Sequence, residues 1–111
     1  MKRQKDILLY KTNLNAAQAR ARVNRLLLSQ VGSQFCAGEP EPDAIKEHWR
    51  VPILFVTPGM VVGQVGEAII NLNTLELKSC TNHKQIHEAA DRLRKKHHAA
   101  IKTAFIQTGK R

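Results

Sequence analysis

Residues 49 to 79 read WRVPILFVTPGMVVGQVGEAIINLNTLELKS, and this stretch decides the fold. Trp49 to Val56 is dense in β-favouring residues, and Pro52 within it points to an edge position or a bulge rather than a central strand. Thr57-Pro-Gly then turns the chain. Val61 to Leu72 holds Val61, Val62, Val65, Ile69, Ile70 and Leu72, interrupted by Gly63 and Gly66, which predict a bulge or a close backbone crossing. A second turn at Asn71-Leu-Asn-Thr leads into Leu75 to Ser79, where Leu75 and Leu77 alternate with Glu76 and Lys78 as in a sheet with one wet face. Three antiparallel strands in a meander follow from this pattern.

Upstream, Gly38-Glu-Pro-Glu-Pro-Asp breaks all periodicity and reads as an acidic loop, because each proline removes a backbone donor and steers its predecessor away from helix. Before it, Ala16, Ala19, Val23, Leu26, Leu27 and Val31 recur at helical spacing, with Asn13 or Asn15 as the cap and Gly32 as the stop. The other side of that helix carries Gln18, Arg22, Arg25 and Ser29. Asp6 to Thr12 alternates weakly around Ile7, Leu8, Leu9 and Tyr10 and reads as a short strand or an extended arm.

Downstream, Asn82 with Gln85 resembles a capping box, and Ile86, Ala89, Ala90, Leu93, His97, Ala100, Ile101, Ala104 and Phe105 form one apolar stripe. One basic helix of about six turns over 82 to 107 is predicted, with Arg92, Lys95, Lys96, His98 and Lys102 opposite the stripe. Such a helix is roughly 37 Å long, while strands of six or seven residues span about 20 Å. Some of Ala100, Ile101, Ala104 and Phe105 should therefore meet the N-terminal helix or strand, or form an exposed apolar patch. The expected whole is a single α+β domain over 1 to 111: an arm or short strand (1–12), a helix plus β-meander (13–80), and a basic helix with a tail (81–111). Its antiparallel sheet has three to four strands, packed with the N-terminal helix and the long basic C-terminal one.

Charge is sorted along the 111 residues. Residues 1–38 hold seven Lys/Arg against one acid, residues 39–80 three against six, and residues 81–111 eight against two, so +6, −3 and +6 make the formal +9. A surplus of that size calls for phosphate, anionic lipid or an acidic protein as partner. No apolar run approaches the ~20 residues of a membrane span, and the start has too short an apolar stretch for a signal core, so a cytoplasmic protein without membrane partners is expected. In that compartment Cys36 and Cys80 read as two reduced thiols. An ordinary aliphatic core suffices for a chain of this length, with no metal or cofactor required.

Cys80, His83 and His87 form C-x2-H-x3-H, which would aim two histidines one helical turn apart at a common point. With three ligands at most, the ordinary reading as solvated helix-terminal residues is preferred and no metal is expected. Gly63 and Gly66 are followed by a strand rather than a helix N-terminus, which argues against a phosphate cradle. Glu67 would need His48 as a buried partner to act in acid–base chemistry. Ser29, Ser33 and Ser79 sit in no nucleophile elbow. Trp49 either closes the core or offers a stacking surface, and the core is preferred. No catalytic set emerges, and a non-enzymatic protein is expected.

The order of helix, then Trp49-Arg-Val-Pro-Ile-Leu-Phe-Val, then Gly66-Glu-Ala-Ile-Ile-Asn-Leu-Asn-Thr-Leu-Glu-Leu resembles PepSY-type domains over residues 13 to 80. Ile70, Asn71, Leu72, Thr74 and Glu76 stand where the hairpin of those domains lies, with Asn71 in place of the usual Asp and Leu75 in place of the usual Gly. The resemblance implies a non-catalytic binding or inhibitory module. The residues themselves point first to nucleic acid, DNA or RNA, contacted at its phosphates by Arg20, Arg22 and Arg25 and by Arg92, Lys95, Lys96 and Lys102. The alternative is a protein-interaction module, antitoxin-like or inhibitory, whose C-terminal helix docks on an acidic partner. Pairing or swapping of an open sheet edge would give a homodimer.

Overall fold

The computed structural model describes the backbone over residues 2–109 and side chains over residues 15–106. The order of elements is α1 (Lys2–Gln30), β1 (Phe35–Ala37), β2 (Glu41–Asp43), β3 (His48–Thr57), β4 (Met60–Asn71), β5 (Leu77–Cys80), α2 (His83–Lys96) and α3 (His98–Gly109). The fold is α+β: three helices and one curled antiparallel sheet in the order β1-β3-β4-β5, with β2 also paired to β3.

The meander is present, and its two long strands of ten and twelve residues far exceed the six or seven expected. Trp49 stands opposite Ile70, Val51 opposite Ala68 and Ile53 opposite Gly66. Alternation puts Trp49, Val51, Ile53 and Phe55 on one buried face, while Arg50 between them is exposed. Ala19, Val23 and Leu27 of α1 and Ile86 and Ala90 of α2 complete the same core, so both helices cover one face of the sheet. The opposite face is wet and carries the Arg50–Glu67 ion pair at 3.2 Å.

Pro52 lies in an interior strand, not at the expected edge. Its carbonyl accepts from the Gly38 N–H at 2.8 Å, but it has no N–H to return to Gly38. The neighbouring edge is broken at that point: β1 ends at Ala37 against Ile53, and β2 resumes at Glu41 against Arg50. The acidic segment expected as a loop is thus partly strand. Pro42 is tolerated there because it faces Trp49, whose own N–H and C=O point towards β4.

Both central glycines do what the sequence predicts. Register shifts at Ile53/Leu54 and at Phe55/Val56 leave Val65 and Val62 without a partner, one residue from Gly66 and Gly63 respectively. Gly63 also lies under Leu93 of α2, and a Cβ on Gly66 would stand 2.8 Å from Thr81 Cβ. Thr81 is held there by three bonds to Glu67: its Oγ1 accepts the Glu67 N–H (2.9 Å) and donates to Glu67 O (3.2 Å), and its own N–H donates to Glu67 O (3.0 Å). Gly66→Ala is expected to cost about 1–3 kcal/mol in urea unfolding, because the clamp that launches α2 must shift. A wild-type midpoint would contradict the close approach.

Residues 6 to 12, expected as strand or extended arm, are helical, and α1 runs uninterrupted through Asn13 and Asn15. Neither Gly nor Pro occurs between Lys2 and Gln30, so nothing stops the helix, and a short apolar run such as Ile7 to Tyr10 fits either period. The radius of gyration is 16.5 Å, against about 13 Å for a compact chain of this length. The excess fits α1, whose 29 residues extend roughly 43 Å.

The single long C-terminal helix is also corrected: it is two shorter helices meeting at His97, with φ −111° and ψ 21°. Hydrogen bonds continue on either side, from His97 N–H to Leu93 O and from Ile101 N–H to His97 O, both 2.9 Å. These two bonds flank a break at His97, where neither helix continues. Beyond the break, Ile101, Lys102 and Phe105 lie beside Thr57 and Pro58 at the β3–β4 hairpin tip. No helix among the described residues is long and apolar enough to cross a membrane.

Candidate nucleic-acid interface

The orientation of α2 is set from both ends. Asn82 caps it, its Oδ1 accepting from the Lys84 N–H at 2.8 Å, one residue short of the amide a capping box would use. Ile86 and Ala90 are buried, and Leu93 seats on Gly63. Arg92, Lys95 and Lys96 are thereby forced outward, and Lys102 is exposed on α3. These four cations have no carboxylate partner among the described residues. Arg94 differs: it pairs with Asp91 at 2.8 Å and lies 5.1 Å from the centroid of the Phe55 ring, tying the end of α2 to the core.

The three arginines of α1 separate. Arg20 is spent within the fold, its Nε donating to Ala37 O at 3.1 Å and its guanidinium pairing with Glu39 at 2.8 Å. Asn24 completes that contact by accepting the Ala37 N–H at 2.7 Å, so α1 satisfies the outward backbone groups of Ala37 on edge strand β1. Arg22 and Arg25 are exposed, Arg22 beside Ile70 and Leu77. Ile70 pairs with Trp49, whereas Lys102 lies by Thr57, roughly 27 Å further along β3. The seven residues therefore do not converge on one patch: four lie on α2 and α3, Arg22 lies towards the far end of the sheet, Arg25 is exposed on α1, and Arg20 is structural.

The other candidates are placed as follows. His87 meets the Phe35 ring edge-on at 5.2 Å, and no group of three or more His, Cys, Asp or Glu among the described residues is arranged to hold a metal ion. Burial pushes the Cys80 thiol above its usual value, which disfavours the thiolate a metal would need. Glu67 pairs with Arg50, and His48 Nε2 is 3.9 Å from Asp43, so Glu67 and His48 do not form a dyad. Trp49 is 2% exposed and offers no stacking surface.

Two features went unread in the sequence. One is the anchoring role of Arg94, for which Asp91 three residues earlier was the available sign. The other is what stands beside the exposed apolar surface expected at Phe105, which is 60% exposed: Thr57 and Pro58 of the hairpin tip, for which the sequence held no sign. Compared with known proteins, the chain matches no family model, no curated protein and no solved structure.

Proposed function

We propose that this chain is a non-enzymatic, cytoplasmic binding protein that grips nucleic-acid phosphates through the ridge Arg92, Lys95, Lys96 and Lys102. The supporting observation is that these four cations stand exposed without a carboxylate partner among the described residues, while Arg20 and Arg94 do have one. An unpaired cation gains by displacing counterions from a phosphate backbone, whereas one already paired must first give up its partner. Arg92, Lys95 and Lys96 lie within about one turn of α2 and Lys102 follows on α3 beyond His97, and together they can meet several phosphates of a duplex.

Duplex is preferred over single strand. Of the described aromatics, Phe35, Trp49 and Phe55 are buried and Phe105 alone is exposed, too few for successive base stacking. Arg22 and Arg25 add a weaker, separate contact. Fluorescence anisotropy with labelled short duplexes and single strands of unrelated sequence tests this: binding at low salt, with duplex at least as tight and little sequence preference, is expected. Sequence-selective binding, or binding to single strands alone, would refute phosphate contact as the mode.

A further inference from the structure

Two exposed apolar features of opposite electrostatic setting lie at opposite ends of β3. The first is Ile45, 95% exposed, in the turn that joins β2 to β3. That turn is held in shape: the Lys46 N–H donates to Asp43 Oδ1 at 3.1 Å, and Glu47 adopts φ 54°. Residues 39–47 carry Glu39, Glu41, Asp43 and Glu47 against Lys46, and with Arg20 paired to Glu39 and Lys78 Nζ donating to Lys46 O at 3.4 Å, Ile45 projects from a surface that keeps a slight negative excess. The second is a groove of about 380 Å³ between the hairpin tip and α3. Pro58, Ile101 and Phe105 supply its apolar lining, and Arg94, His98 and Lys102 lie along it. On α3, His98, Ile101, Lys102 and Phe105 follow i, i+3, i+4, i+7 spacing, so one helix face presents both the lining and the charge. Thr57 in its wall has a buried Oγ1 with no hydrogen-bond partner among the described residues.

We propose that the Ile45 turn of one copy docks in the α3–hairpin groove of a second copy, Ile45 entering the apolar lining and Glu41 and Glu47 facing Lys102. The complementarity selects this occupant. Two grooves placed face to face would oppose Lys102 with Lys102. The first and last residues repel the groove as well: residues 1–14 hold Lys2, Arg3, Lys5 and Lys11 against Asp6, and residues 107–111 include Lys110 and Arg111. A turn cannot reach its own groove, because nine residues of β3 separate them by roughly 30 Å. A preformed turn also loses little conformational entropy on docking, which favours association through a small contact. The groove shares Lys102 with the proposed phosphate contacts but not Arg92, Lys95 or Lys96 of α2, so its failure would leave the nucleic-acid reading standing.

The contact joins two different surfaces, and this makes it testable by mixing. Sedimentation or light scattering of the full chain at low salt, from low to high micromolar, should show species of two or more copies of the 12.5 kDa chain. Added salt should weaken them. Ile45→Asp and Phe105→Asp should each be monomeric, yet an equimolar mixture should regain a two-copy species, because the first retains an intact groove and the second an intact turn. Both sites are exposed, so thermal melts should remain wild type. A wild-type monomer at every concentration, association that survives both substitutions, or a mixture that stays monomeric would overturn the proposal. Monomers that instead bind an acidic amphipathic peptide through the groove would assign it to a foreign protein.

Discussion

Trp49→Ala is expected to lower the unfolding free energy by about 3–5 kcal/mol, the largest single-residue effect on stability in this chain. Its side chain is 2% exposed and stands between Pro42 on β2 and Ile70 on β4, so truncation opens a cavity where three strands meet. With domains of this size stable by about 5–15 kcal/mol, much of the margin would be lost. Trp49→Phe should cost only about 1–2 kcal/mol: it loses volume but also removes Nε1, a buried donor without a partner among the described residues. Urea unfolding followed by circular dichroism, which does not depend on the Trp itself, makes the comparison. Where the Phe variant remains folded its nucleic-acid affinity should be unchanged, and a lost affinity there would show that the indole contacts ligand after all.

Changing Arg92, Lys95, Lys96 and Lys102 together to Gln should weaken duplex binding by about 100-fold or more at low salt, since four phosphate contacts and their counterion release disappear at once. All four side chains are exposed, so the melting temperature should barely move. Arg20→Gln is the matched control. It removes a cation expected from sequence to bind nucleic acid, but that cation holds Ala37 O and Glu39. Stability should fall slightly and affinity stay near wild type. The double change Arg22→Gln with Arg25→Gln should fall between the two. Equal losses from Arg20→Gln and the ridge variant would mean that charge alone, not its placement, governs binding.

The meander, its bulges and the helix over 15 to 31 were legible because period-two and period-3.6 patterns are strong there and glycines mark departures from them. Pro52 misled for a physical reason: whether proline can sit inside a sheet depends on which neighbour its nitrogen faces, and that neighbour is the gap between β1 and β2. The break at His97 left no mark, since no Gly or Pro stands there. In the interface, exposure of Arg92, Lys95, Lys96 and Lys102 followed from helical spacing alone. The loss of Arg20 to β1 did not, because it depends on Ala37 seventeen residues away being brought beneath it by a turn at Gly32. Whether two helices on one sheet share a charged surface is tertiary information, and here Arg22 and Lys102 lie near opposite ends.

The most direct test of the central claim is the salt dependence of duplex affinity between about 50 and 200 mM. Four phosphate contacts predict a plot of log K against log salt with a slope of about −3 to −4, a loss of roughly two orders of magnitude across that range, and a slope near zero for the four-site Gln variant. Undetectable binding at the lowest salt, or wild-type affinity that does not change with salt, would contradict the account.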